Sequence, residues 1–185
     1  MPEAGDNAVY KAARATHRLS LFNFGVPAHP VLGGPTLNVG TFHGGINVNS
    51  VPDRATIEVD MRTIPGMAHD RLREEITDVM GEGLEVQTLI DLPGVWTSPE
   101  RPWVQRAAQV IAGVTGEPFE PRTATFFSDA AVLMPAMGDV PTLILGPGEP
   151  QLAHQTDEWC SVERLNQATA IYRRLIVDWA QTQTE

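Results

Sequence analysis

Two consecutive α/β units are what the sequence predicts, and three observations predict them. Apolar spacing over residues 7–90 falls in the order α, β, β, α, β. The pairs Pro93-Gly94 and Ser98-Pro99 then break the pattern. Beyond them come two helical patterns, one short apolar run and a long amphipathic helix. A split βαβ sandwich of ferredoxin-like type runs β-α-β-β-α-β. The first unit therefore reads as that arrangement lacking its first strand, which is expected upstream of residue 1. Topology alone leaves open that the first helix simply packs on a three-stranded sheet.

From Asn7 to Phe22, Val9, Ala12, Ala13 and Leu19 recur at helical spacing, with Asp6 as the expected N-cap. Pro27, Pro30, Gly33, Gly34 and Pro35 make the next stretch a loop, because proline removes backbone donors and both residues break regular elements. Residues 36–43 read as a strand. Residues 53–64 read as a better one, since Ala55, Ile57, Val59 and Met61 alternate with Thr56, Glu58, Asp60 and Arg62. After Pro65-Gly66, Leu72, Ile76, Val79 and Met80 mark a helix, and Leu84, Val86 and Leu89 predict a further strand.

In the second unit, Val104, Ala107, Ala108 and Ile111 define a helix over 100–115, with Gly116 near its end. A helical segment follows over 129–137. The run Val140-Pro141-Thr142-Leu143-Ile144-Leu145 has the length of a buried strand. The last helix starts near Ser161, its expected N-cap, and carries Leu165, Ala168, Tyr172, Leu175, Ile176 and Trp179 on one stripe.

Composition narrows the function classes. An apolar content of 42% over 185 residues suits a globular fold with a real core. A formal net charge of −10 argues against nucleic acid or an anionic membrane as the main partner, because both are held through clustered Lys and Arg. No stretch approaches the ~18 apolar residues of a membrane span. The single cysteine, Cys160, has no internal partner for a disulfide, so a cytoplasmic setting is expected.

Chemistry concentrates at a few positions. His154 lies in the loop Gly146-Pro147-Gly148-Glu149-Pro150-Gln151-Leu152-Ala153-His154 between an expected strand and a helix, where α/β folds gather ligands. It reads as a metal ligand or as an ordinary surface histidine. Asp157 and Glu158 are close enough in sequence to orient its ring. Arg62, at the end of the best strand, could grip a carboxylate in bidentate fashion or pair with Asp60 or Glu58 on the same face. The turn 44–52 is long and rich in Asn, which suits substrate hydrogen bonding or simply local turn geometry. Ser128-Asp129 with His154 makes a poor hydrolase triad, since Phe126-Phe127-Ser128-Asp129-Ala130 lacks the glycines of a nucleophile elbow. Pro147 likewise weakens any phosphate cradle at 146–148. His17, His29, His43 and His69 show no ligand spacing and read mostly as surface residues.

Four blocks, in order, carry a family resemblance: Gly44-Gly45 through Asn49-Ser50-Val51-Pro52, Asp60-Met61-Arg62, Ser128-Asp129-Ala130, and Gly146-Pro147-Gly148 through Ala153-His154-Gln155-Thr156-Asp157-Glu158. Together they resemble the zinc-dependent aminoacylase family, which includes acetylornithine deacetylase, succinyl-diaminopimelate desuccinylase and glutamate carboxypeptidase. The resemblance implies a ferredoxin-like lid and dimerisation domain over 1–96 that lacks its first strand, followed by the C-terminal part of an α/β zinc-hydrolase catalytic domain over 97–185. It makes His154 the last zinc ligand, Arg62 the arginine on the substrate carboxylate, Asn49 the asparagine beside it, and Gly146 and Gly148 parts of a loop at the metal centre. The remaining ligands of the two-zinc site, the lid histidine and the general-base glutamate would lie upstream. Phe126-Phe127 departs from the family's small residues and puts any substrate contact there in doubt.

The expected function is thus a piece of a two-zinc amidohydrolase that cleaves N-acyl amino acids, inactive alone, homodimeric through the lid and completed by the N-terminal half of the catalytic domain. A non-catalytic dimerisation module is the alternative, and a separate chain supplying the other half is a third reading.

Overall fold

The computed structural model describes residues 5–120, 122–124, 126–153 and 155–182. It divides into two units, Met1–Val95 and Trp96–Glu185. In the first, helix α1 spans Ala8–Ser20, and the capping residue is Asn7 rather than the expected Asp6. Asn7 is extended and its Oδ1 accepts from the Tyr10 N–H at 3.1 Å, satisfying a donor the first helical turn leaves orphaned. The Asp6 carboxylate instead pairs with Lys11.

Strands β1 (Thr36–Gly44) and β2 (Ala55–Arg62) form an antiparallel pair from Thr36↔Arg62 to Gly44↔Ala55. The register shifts between Val39 and Thr41, leaving Gly40 as the extra residue of a bulge. Alternation puts Leu37, Val39, Ile57, Val59 and Met61 on one face, where they pack against a cluster drawn from α1 and helix α2 (His69–Met80). Ala15, Leu19, Leu72, Ile76 and Met80 form the buried centre, joined by Phe22, Phe24, Met67 and Leu84. Phe22 and Phe24 meet edge to face with centroids 5.1 Å apart. Arg18 of α1 reaches across to donate to the Met80 carbonyl at 2.9 Å, satisfying an orphan acceptor at the end of α2. Gly81 follows with φ +93, a conformation that suits glycine, and a Cβ there would meet the Arg18 guanidinium.

The fold class is α+β, with a small antiparallel sheet of two strands. The strand expected from Leu84, Val86 and Leu89 does not form, and Val86, Leu89 and Ile90 are exposed. The physical reason is the missing neighbour. The two parallel strands of a split βαβ flank a third strand, and among the described residues no strand precedes α1. An extended segment without a ladder partner is not a strand.

The second unit contains α3 (Pro102–Thr115), α4 (Ala130–Ala136), a short 3-10 turn at Pro150–Leu152, and α5 (Val162–Thr182). Gly116 closes α3 in the left-handed conformation, its N–H bonded to the Ala112 carbonyl. Ser161 caps α5, accepting from the Arg164 N–H at 3.4 Å. Helices α3 and α5 pack together, burying Val104 and Ala107 against Ala168 and Ile171. Arg174 donates to the Gly113 carbonyl, and Arg106 lies 3.9 Å from Asp178 along the same seam.

Two expectations fail in this unit. Residues 140–145 form no strand, and Ile144 is 53% exposed. With no described strand beside it, the Thr142 N–H turns to Thr97 Oγ1 at 2.9 Å. The stripe on α5 is not one buried face either. Ala168 is buried and Leu175 partly so, whereas Leu165, Tyr172, Ile176 and Trp179 are exposed. The apolar arc of α5 is wider than the surface α3 offers it.

Candidate substrate and metal site

Alternation along β2 sends Thr56, Glu58, Asp60 and Arg62 to the face opposite the helices. Thr41 of β1 donates to Glu58 at 2.8 Å, and Arg62 Nε donates to Asp60 at 2.8 Å. Of the two alternatives for Arg62, the structure shows the pairing with Asp60. Asp60 holds Nε and fixes the guanidinium plane, while the side chain stays 50% exposed at the strand end. The guanidinium retains its terminal N–H groups for a planar acceptor. Asn49 is exposed in the turn between the two strands. Gly44 is needed there because a Cβ would come within 2.8 Å of Ala55 Cβ and of Val9 Cγ2, so hairpin and α1 touch at that point.

A second constellation follows Arg62, and sequence spacing did not reveal it. Thr63 Oγ1 and His69 Nε2 lie 3.0 Å apart, and His69 Nδ1 bonds the Asp91 carboxylate. Arg73 pairs with both Asp91 and Asp70. The hydrogen bond from His69, with Arg73 alongside, holds the Asp91 carboxyl below the usual carboxylate range. Asp91 in turn raises the Arg73 guanidinium. His69 is thus a fastening residue between α2 and segment 84–91, not a plain surface histidine. The only trace of it in sequence is a histidine opening a helix, with its acidic partner 22 positions away.

In the second unit the 145–149 loop is bracketed by α5 and the residues before it. Tyr172 Oη donates to the Leu145 carbonyl at 2.5 Å, Cys160 Sγ to the Pro147 carbonyl at 3.5 Å, and Arg164 pairs with Glu149. Gly146 and Gly148 are exposed, neither has a positive φ, and a Cβ on either would meet nothing within 4 Å. No packing or backbone demand among the described residues explains these two glycines. Asp157 adopts φ +62, uncommon outside glycine and best tolerated by Asp and Asn. His154 lies outside the described residues. The Ser128 and Asp129 carbonyls serve the first turn of α4, and Phe126 and Phe127 are exposed.

Among the described residues no group of three or more His, Cys, Asp or Glu could hold a metal ion. Nor, among the described residues, is any helix long and apolar enough to cross a membrane.

Residues 1–87 match the peptidase dimerisation domain of the M20 family. Residues 1–87, in the first unit, thus carry the dimerisation domain of this family. The sequence-based reading of a piece of a zinc aminoacylase-type metallohydrolase holds at this family level. Among curated relatives, acetylornithine deacetylase of Vibrio cholerae is 29% identical over 149 residues, covering 76% of this chain and 37% of its own length. The corresponding enzyme of Aliivibrio fischeri is 29% identical over 150 residues, covering 77% and 37%. The chain thus spans well under half the length of these relatives. Among solved structures, aminopeptidase PepT from Bacillus cereus matches 95% of this chain and 46% of its own, with a TM-score of 0.66 at 24% identity. An M20 family metallo-carboxypeptidase, Sso-CP2 from Sulfolobus solfataricus, matches 94% and 43%, with a TM-score of 0.66 at 18% identity. These likenesses concern the fold.

Proposed function

We propose that this chain comprises the lid and the C-terminal catalytic portion of an M20 amidohydrolase that cleaves the amide of N-acyl amino acids, a deacetylase, desuccinylase or dipeptidase. One observation carries the reading. Arg62 stands at the end of a dimerisation-domain strand, half exposed, oriented by Asp60 and able to offer a planar fork to a substrate carboxylate. Its contribution is orientation rather than bond making. Asn49, exposed in the neighbouring turn, adds an amide donor for the same substrate. Gly146 and Gly148, unexplained by packing, support a loop that leaves its backbone open to a ligand. Tyr172, Cys160 and Arg164 hold that loop in place.

The described residues do not make a complete metal site. His154 is proposed as one zinc ligand, the others coming from outside this chain, and the chain alone is inactive. Lid-to-lid association into a homodimer and a cytoplasmic setting belong to the same proposal. The domain roles are 1–96 for the lid and 97–185 for the catalytic portion.

Calorimetric zinc titration of the chain and of His154→Ala, with an N-acetylornithine hydrolysis assay on the same samples, tests this reading. Weak zinc binding and no turnover are expected. Tight, His154-dependent zinc with turnover would mean a self-sufficient enzyme. A second reading, a dimerisation module without catalysis, draws on the dimerisation-domain match over residues 1–87. Mixing the chain with a separately expressed N-terminal half of a relative separates the two. Restored hydrolysis that Arg62→Met abolishes excludes the module.

A further inference from the structure

One side chain organises the loop between α1 and β1. His29 and Gly33 exchange backbone bonds, the His29 N–H reaching the Gly33 carbonyl at 2.9 Å and the Gly33 N–H the His29 carbonyl at 3.0 Å. The turn Pro30-Val31-Leu32 joins them, and Gly33 sits at φ +79, a conformation that suits glycine. Inside the turn the N–H groups of Val31 and Leu32 both donate to His29 Nδ1, at 3.2 and 3.1 Å. Every backbone donor of residues 31–33 therefore ends on His29, and Pro30 has none to place. A ring nitrogen that accepts carries no proton, so the neutral ring holds its proton on Nε2. Thr36, three residues beyond Gly33, opens β1 opposite Arg62, so this turn leads into the arginine end of the sheet.

We propose that His29 is a pH-sensitive staple, whose neutral ring closes loop 29–33 and whose protonation releases it. Imidazolium carries an N–H on both nitrogens. A proton on Nδ1 sets a third donor against the N–H groups of Val31 and Leu32 and leaves both without their acceptor. The ring then swings away, and only the His29–Gly33 backbone pair still closes the turn. The two ring bonds are complete while the imidazole is neutral and are lost as pH falls through the range in which histidines charge, about pH 5 to 8. No charge within the loop opposes this. Between Arg18 and Asp53 the chain has no Asp, Glu, Lys or Arg, and the other titratable side chain there is His43, at the far end of β1. At the near end of the sheet Asp60 and Arg62 are bonded to each other. The staple lies wholly within 29–33, so it is independent of Arg62 as a substrate ligand and of any metal.

Nitrogen-15 NMR of the full chain between about pH 8 and 5 tests this. At the alkaline end the His29 ring should be protonated on Nε2 alone. The amide shifts of Val31, Leu32 and Gly33 should then follow the ring through one shared transition, with those of Val39 and Val59 in the ladder unchanged. His29→Asn keeps the acceptor and removes the titration, because Asn Oδ1 stands where Nδ1 does. Asn23 and Asn7 already accept in this way from the N–H groups two and three residues on. The Asn variant should therefore hold the loop amides at their neutral-pH positions throughout, and His29→Ala should give the open loop's shifts at every pH. A ring protonated on Nδ1 at the alkaline end, loop amides that do not track the ring, or a His29→Asn loop that titrates like the parent would each overturn the proposal.

Discussion

The two units handle the same kind of sequence differently. Residues 55–62 and 140–145 are both short and rich in apolar side chains, yet only the first becomes a strand. β2 finds its partner close by in the chain, across the turn from β1, so closing the loop costs little entropy. Residues 140–145 have no such neighbour among the described residues, and they settle for one bond to Thr97 and one through Tyr172 to Leu145. The cores differ accordingly. The first unit closes over Leu19, Leu72, Ile76 and Met80, whereas the second buries mainly alanines with Val104 and Ile171. A β pattern is thus half an instruction, and the neighbouring ladder is the other half.

That contrast predicts unequal sensitivity to substitution. Leu19→Ala empties the best-packed site of the first unit and should cost about 2–5 kcal/mol in urea unfolding. Val104→Ala removes less volume and should cost roughly 1.5–2 kcal/mol at ~0.8 per buried methylene-sized group. Equal losses would mean that the second unit is packed as tightly as the first. Gly44→Ala drives a methyl into Ala55 and Val9 and should cost about 1–3 kcal/mol, seen as a lowered midpoint with unchanged slope. Arg18→Leu strips the Met80 carbonyl of its charged donor, and a loss of about 1.5 kcal/mol is expected. Tyr172→Phe deletes one bond to the 145–149 loop and should cost only about 0.5–1 kcal/mol, with faster amide exchange confined to that loop.

Acid response sharpens the comparison from the electrostatic side. The Asp91 carboxyl is held low in the folded chain, so its contribution is complete above the ordinary carboxylate range. That contribution is lost as pH falls through the depressed folded value. The NMR shifts of 84–91 should therefore move toward disordered values at acid pH before those of the β1–β2 ladder, and Asp91→Asn should flatten this dependence. An 84–91 segment with the same shifts at both pH values would show that packing of Leu84, not the clasp, holds it.

Much of the fold was legible in the sequence. The spacing of Leu72, Ile76 and Met80 marked α2, the alternation of Ile57, Val59 and Met61 marked β2, and Gly116 marked the end of α3. These are local signals, and local geometry enforces them. The helix starts one residue later than expected, so Asn7 caps it and the Asp6 carboxylate is left to pair with Lys11. Leu84, Val86 and Leu89 misled because alternation reports which face would be buried and nothing about a partner strand. The site was legible as residue types. Arg62 could be placed at a strand end, but not that Asp60 takes its Nε and leaves the rest of the fork open.

By itself the sequence determined the helices, the paired strands, the family blocks and the charge balance, since each rests on neighbours a few positions apart. Tertiary structure decided which apolar segments are covered, that His69 fastens Asp91, that Tyr172 holds the 145–149 loop, and that β2 pairs with β1 alone among the described residues. Those features depend on groups brought together from distant positions, and periodicity carries no information about such meetings.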